Sequence, residues 1–210
     1  MRKELKFIFI VFLLSILSVN AHAAKRYWVA ANDSIWNSTR NWSSSSGGTS
    51  GASVPGSSDT AYFDGGSVNK DTFDINVSVK RLEIASGYTG TIIQGAKTLT
   101  IGTSGAVLSG GTFSGGSANI TVSGTFTISG TAFTSTSGTF STSANFTISS
   151  GSFTHNSGTL TFTATSTLTV SNTGGTTFYT LSFPPTSADA TYTITSTTTL
   201  TVSHLLSIGG

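Results

Sequence analysis

The sequence predicts an all-β protein, a β-solenoid whose coils are about 20 residues long, with a cap at its N-terminal end. Between Gly111 and Val170, apolar or small residues alternate with Ser, Thr or Asn along extended runs. Such alternation indicates strands with one buried face and one solvated face. The pattern recurs at a fixed interval, from Ile120 to Phe140 to Leu160, and a fixed period is typical of units that stack because one unit cannot bury its own apolar face.

Residues 1–23 have the organisation of a secretory signal peptide. Basic residues near the start precede an apolar stretch from Phe7 to Val19, and the small-x-small site Ala21-His22-Ala23 predicts cleavage before Ala24. The apolar stretch is shorter than the ~20 residues that a membrane-spanning helix needs. We therefore expect a secreted or cell-surface protein with no transmembrane segment in the mature chain.

The mature composition excludes several function classes. After Ala23 the chain has seven basic and seven acidic residues, so its formal charge is zero and no nucleic-acid partner is expected. The absence of cysteine excludes a disulfide framework and thiolate chemistry. From Thr98 onward only Asp189 carries a formal charge. A long neutral β surface favours a protein that stacks or assembles, with other copies of a surface protein as partners.

Two segments follow the signal peptide. Residues 24–74 contain all three tryptophans and are expected to form the cap over the first coil, because an open solenoid end would expose core and strand edges. Residues 75–210 are expected to form the solenoid repeats. The register loosens after Val170 and no closing cap is visible, so we interpret the chain as the front of a longer protein.

The repeats predict which side chains fill the core and which face solvent. In-register inward rows are expected for Ile120/Phe140/Leu160, Phe126/Phe146 and Ile128/Ile148/Leu168. A parallel row of small residues, Gly124/Ala144/Ala164, predicts a tight corner. Outward hydroxyl ladders are expected for Thr127/Thr147/Thr167 and Thr121/Ser141/Thr161.

The first mature segment carries a family resemblance. The motifs are Tyr27-Trp28-Val29, Ile35-Trp36-Asn37, Asn41-Trp42-Ser43, Val54-Pro55 and Asp59-Thr60-Ala61-Tyr62-Phe63-Asp64, followed by Gly/Ser/Thr-rich strands such as 151–160. They resemble the start of large, adhesin-like bacterial surface proteins. The resemblance implies a right-handed parallel β-helix at the cell surface and no catalytic residue.

Enzymatic activity is not expected. Cleavage of polysaccharides requires facing carboxylates, or a carboxylate with a basic partner, and no Asp or Glu lies between Glu83 and Asp189. His155 is the one titratable side chain in the regular repeats, and its neighbours Asn156 and Gly158 indicate a turn. Catalytic residues and cofactors are therefore both assigned as none.

Two binding alternatives remain open. Asp59, Asp64, Asp71 and Asp74 with Asn69 could hold calcium, although turn-forming Asp explains them equally well. Trp36 and Trp42 are the candidate glycan contacts, with a plug over the core as the rival interpretation. Trp28 is expected to be more buried than either, because it lies in an apolar run.

The sequence thus predicts an exported, non-enzymatic β-solenoid with a structural or adhesin-like role and cell-surface glycans as candidate partners. The alternative is a carbohydrate-binding module, or the non-catalytic front of a polysaccharide-active β-helix protein.

Overall fold

The computed structural model describes residues 23–30, 34–185 and 191–209 and is all-β apart from a 3₁₀ turn at Thr39–Asn41. The predicted signal peptide up to His22, and also Asp189, lie outside the described residues. The strands are β1 Lys25–Trp28, β2 Trp42–Ser43, β3 Thr60–Phe63, β4 Asp71–Thr72, β5 Val77–Val79, β6 Arg81–Ile84, β7 Thr91–Ile93, β8 Leu99–Ile101, β9 Ala106–Leu108, β10 Thr112–Ser114, β11 Ile120–Val122, β12 Phe126–Thr134, β13 Thr139–Thr142, β14 Phe146–Thr154, β15 Thr159–Phe162, β16 Ser166–Val170, β17 Thr176–Phe183, β18 Tyr192–Ser196 and β19 Leu200–Ile208.

These strands build a parallel β-solenoid with three faces. The first face contains β3, β6, β9, the start of β12 and β14, β16 and β18. The second contains β4, β7, β10 and the ends of β12 and β14. The third contains seven strands, β5, β8, β11, β13, β15, β17 and β19. Strands of successive described coils pair in parallel, and one row of third-face partners runs through Val77, Leu99, Ile120, Phe140 and Leu160. The predicted β-solenoid is therefore confirmed.

The core consists of side chains stacked from one coil to the next. The eight core residues named from the sequence are between 0% and 3% exposed: Ile120, Phe126, Ile128, Phe140, Phe146, Ile148, Leu160 and Leu168. On the second face the rings of Phe113, Phe133 and Phe153 stack, with centroids 5.0 and 5.9 Å apart. Parallel in-register pairing places like side chains over one another, so a sequence repeat becomes a ring ladder.

One predicted row has the wrong register. Leu168 pairs with Phe146, and Val170 occupies the position over Ile148 where Leu168 was expected. The corner before β16 is the cause. Phe146 follows Thr142 by four residues, but Leu168 follows Phe162 by six, although Thr142 and Phe162 are paired. Because the shift is an even number of residues, inward positions stay inward. The outward Thr147 consequently lies beside Thr169, and the expected Thr167 is displaced.

The predicted small-residue corner is tight at Gly124. A Cβ on Gly124 would lie 2.5 Å from the backbone nitrogen of Gly105, which is closer than van der Waals contact permits. Ala144 and Ala164 are half-buried, whereas Gly124 is buried. In those coils the buried Thr142 and Ser166 hydroxyls instead donate to the carbonyls of Ala144 and Ala164.

An aromatic layer lies on the first coil, which contains β3, β4 and β5. Strand β1 pairs parallel with β3 and antiparallel with β2, which places Trp28 directly beside Trp42. Trp28, Trp36 and Trp42 each contact the ring of Phe63, and Trp36 also contacts Phe73. We call these three tryptophans the tryptophan layer. The expectation that Trp28 is the most buried of them is wrong, because the exposures of the three are 0%, 1% and 0%.

Candidate binding surface

The two predicted glycan contacts do not reach the surface. Trp42 packs edge-on against both Trp28 and Trp36, with ring centroids 5.1 and 4.8 Å apart. Its indole nitrogen donates to the Trp36 carbonyl at 2.8 Å, inside the layer. Stacking on a sugar requires a solvent-exposed ring face, and neither Trp36 nor Trp42 has one. The geometry therefore argues against glycan contact by these residues, because the polar loop residues around them fold back over the first coil.

Three of the acidic residues considered for calcium are engaged elsewhere. Asp64 accepts a hydrogen bond from the Gly66 amide, and Asp74 accepts one from the Asn37 amide. The two carboxylate oxygens of Asp59 accept from Ala24 and Gly56. Within the described parts of the chain, no three His, Cys, Asp or Glu side chains come together as a metal site. These three aspartates thus bind backbone amides that turns and strand ends would otherwise leave unpaired.

Asp71 is different because its carboxyl group is buried in the core. It pairs with Ile92 on the second face, and neither of its carboxyl oxygens accepts a hydrogen bond from the described residues. Burial raises the pKa of Asp71 well above its ordinary value, and the Asp74 charge adds to the shift. The nearby Thr72 amide opposes the shift, although its hydrogen bond goes to the Ser34 carbonyl.

Tyr88 lies close enough to Asp71 to be affected by it. Burial, and secondarily the charge of Asp71, raises the pKa of Tyr88. Sequence reasoning missed the inward position of Asp71 because β4 is too short to show an alternation, with Thr72 as its only other residue.

His155 belongs to a stack of rings on the outer surface. Tyr179 lies between His155 and His204, with centroid distances of 5.5 and 4.5 Å, and its plane is 10° from that of His204. The His155 Nδ1 atom accepts a hydrogen bond from the Ser157 amide, which fixes the ring in its turn. The intervals between these three residues are longer than that of the regular repeat, so the repeat did not reveal this stack.

The stacked arrangement limits what these rings can bind. Tyr179 has one imidazole on each side, stacked for His204 and tilted for His155, so its ring faces are less free to stack on a sugar. Because a tyrosine ring separates His155 from His204, the imidazoles cannot ligate one metal ion, which needs each nitrogen within about 2.1 Å.

The third face carries an outward hydroxyl ladder through all seven of its strands. The paired residues are Ser78, Thr100, Thr121, Ser141, Thr161, Ser182 and Ser207. Parallel strands are ~4.8 Å apart, so the hydroxyl groups repeat at this spacing along the solenoid. The sequence repeat predicted only the central three members, because the coils on either side depart from the regular period.

The ladder is the most regular polar surface of the described coils. It offers donors and acceptors at a fixed interval, and this arrangement suits repeated hydrogen bonding to an extended polar partner. In the part of the chain that the structure describes, no helix is both long enough and apolar enough to cross a membrane. Searches with family models, among curated proteins and among solved structures gave no match to this chain.

Proposed function

We propose that this chain is an exported, non-enzymatic β-solenoid of the cell surface, with a structural or adhesin-like role carried by its third face. The hydroxyl ladder from Ser78 to Ser207 is the observation that carries the proposal. A neutral row of hydroxyls contacts a partner through many weak hydrogen bonds, so total affinity grows with the number of coils engaged. Cell-surface glycans, which are extended and rich in hydroxyl groups, are the partners of matching chemistry.

The distribution of charge supports a non-enzymatic role. The sequence from Thr98 to Ala188 contains no Asp or Glu, and hydrolysis or elimination at a sugar requires a positioned acid and base. Asp59, Asp64 and Asp74, which precede these coils, already accept hydrogen bonds from backbone amides. The proposal therefore places function in binding by the repeated surface.

A glycan array with the processed protein tests this assignment. Ser141→Lys and Thr161→Lys place bulky charges in the centre of the third-face ladder, while Thr127→Lys and Thr147→Lys do the same on the first face as matched controls. We expect the third-face variants to lose about tenfold or more in affinity, corresponding to ~1.4 kcal/mol. Equal binding by both pairs would remove the third face from the proposal. Release of reducing sugar by the purified protein would overturn its non-enzymatic part.

A second candidate function is a carbohydrate-binding module centred on the first face. Tyr27 and Tyr62 are half-buried neighbours there, with centroids 5.2 Å apart, and the Lys25 ammonium lies 3.6 Å from the centre of the Tyr62 ring. These rings retain solvent contact that Trp36 and Trp42 lack. If glycan binding is lost in Tyr27→Ala and kept in Thr161→Lys, this candidate replaces the hydroxyl ladder.

Other copies of the chain, or of similar surface proteins, are the second class of partner in this proposal. Between Thr98 and Ala188 the sequence has no charged side chain. A long neutral β surface of this kind favours association with further β-structure. Sedimentation of the processed protein over a range of concentrations tests self-association, and a monomer at all concentrations would contradict it.

A further inference from the structure

The backbone of Ala24 is fixed at both of its polar groups. Its nitrogen donates to Oδ1 of Asp59 at 2.9 Å, and its carbonyl accepts from the Thr60 amide at 2.8 Å. Strand β1 continues directly from this point along β3 in parallel register. Ala24 is therefore held against the solenoid immediately before β1 begins.

The Asp59 carboxylate is oriented before it meets Ala24. Its other oxygen, Oδ2, accepts from the Gly56 amide at 2.9 Å. The Asp59 carbonyl accepts from the Lys80 and Arg81 amides of the following coil, at 2.9 and 3.3 Å. Both the backbone and the side chain of Asp59 are thus held in place, with Oδ1 directed at the nitrogen of Ala24.

The signal-peptide pattern of the sequence predicts peptide-bond cleavage at this same nitrogen. Hydrolysis of the bond between Ala23 and Ala24 consumes one water molecule, leaves a carboxylate on Ala23 and releases the Ala24 nitrogen as an amine, which takes up a proton at neutral pH. We propose that the Asp59 carboxylate is the binding site for the α-ammonium group that removal of the leader creates at Ala24. This proposal deepens the proposed function, because it rests on export with cleavage after Ala23.

Cleavage changes the character of the contact from Ala24 to Asp59. Before cleavage it is a hydrogen bond from a neutral amide, and afterwards it joins an ammonium to a carboxylate. Charge-assisted hydrogen bonds are roughly twice as strong as neutral ones. Since Trp28 ends the strand that Ala24 precedes, processing should strengthen the attachment of the tryptophan layer to the first coil.

Other charged groups on the neighbouring strands must be considered in the test. Lys25 follows Ala24 directly, and its ammonium lies over Tyr62. Arg26 donates to Ser53, Arg81 is paired with Glu83 at 3.0 Å, and the Lys80 amide donates to Asp59. Lysine and arginine side chains ordinarily keep their charge up to about pH 9. A pH dependence that differs between wild type and an Asp59 variant below that pH therefore reports the α-amino group.

The experiment expresses the full chain with its own leader in an exporting bacterial host and purifies the released product. Intact mass identifies the first residue. Thermal unfolding from pH 6 to 10 then compares wild type, Asp59→Asn, the control Asp64→Asn, and a chain with one serine inserted between Ala23 and Ala24. The insertion keeps an amide at Ala24 but moves the ammonium by one residue.

We expect a product starting at Ala24 whose Tm exceeds that of Asp59→Asn and of the insertion variant by about 2–4 °C at pH 6 to 7. Because the pair stabilises only while the amine is protonated, this advantage should disappear as pH rises above about 8. Asp64→Asn should keep the wild-type profile. A product starting elsewhere would overturn the proposed processing. A product starting at Ala24, with the same dependence of Tm on pH in wild type and Asp59→Asn, would overturn the binding of the ammonium group by Asp59 and would leave the proposed export unaffected.

Discussion

Asp71 lies beside Ile92 in parallel register, so a carboxyl group occupies in the first coil the inward position that an isoleucine fills in the second. The row continues with Phe113, Phe133 and Phe153. A carboxyl group in an apolar row costs stability whenever it is ionised, because burial removes its hydration and no described group replaces it with a hydrogen bond.

Asp71→Asn should therefore stabilise the protein near neutral pH. The pKa of Asp71 is raised in the folded state, so the folded state holds its proton more tightly than the unfolded chain. Stability from this group is complete below the unfolded pKa of about 3.9 and declines as pH rises through the folded pKa. The substitution should abolish that decline and add about 1–3 kcal/mol at pH 7, measured by chemical unfolding at pH 4 to 8. Asp64→Asn is the control, and an unchanged pH slope in Asp71→Asn would contradict the prediction.

The regular coils were predictable from the sequence because period and side-chain alternation are both local signals. Ile120, Phe140 and Leu160 stack as the repeat requires. The step from Ile148 to Val170 was not predictable, since a corner can take up two residues without disturbing alternation. The inward carboxyl of Asp71 lies in a strand too short to carry a periodic signal.

The surface features were less accessible to sequence reasoning for a related physical reason. Tyr179 and His204 stack although their separation in the sequence exceeds the regular period, so the repeat gave no signal for this contact. Trp36 and Trp42 lie among polar residues that suggested exposure, yet their loop folds over the first coil. Local polarity does not report burial when the chain itself covers the ring.

Trp36→Ala should destabilise the protein as much as Trp28→Ala. Both rings are fully enclosed, and Trp36 also packs against Phe73 with a centroid distance of 5.0 Å. Truncation of a buried aromatic side chain typically costs ~3–5 kcal/mol. Chemical unfolding of the two variants checks this, with Tyr27→Ala as a control on a half-buried ring. A Trp36 variant that loses glycan binding but keeps full stability would restore the sugar-contact interpretation.

Gly124→Ala should destabilise the corner between the third and first faces. The new Cβ would lie 2.5 Å from two backbone atoms, the Gly105 nitrogen and the Thr103 carbonyl oxygen, so backbone must move. Overpacking of this kind costs about 1–3 kcal/mol. Ala144→Ser adds one heavy atom at the corresponding position of the next coil, where the site is half-buried, and should have little effect. Equal melting temperatures for the two variants would show that the corner relaxes without cost.

Deletion of residues 24–56 should make the remaining coils associate. The deletion keeps β3 and the first coil but removes the tryptophan layer, leaving the rings of Phe63 and Phe73 uncovered. It also frees the edge of β3 that now pairs with β1. Exposed apolar rings beside an unpaired strand edge promote edge-to-edge association. Size-exclusion chromatography with light scattering should show larger assemblies than the wild type forms at the same concentration, and thermal unfolding should show a lower Tm. Trp36→Phe, which keeps an aromatic ring in the layer, is the control and should have the same mass in solution as the wild type. A deletion variant with the mass and the Tm of the wild type would mean that residues 24–56 form a separate module, and their role would then be binding.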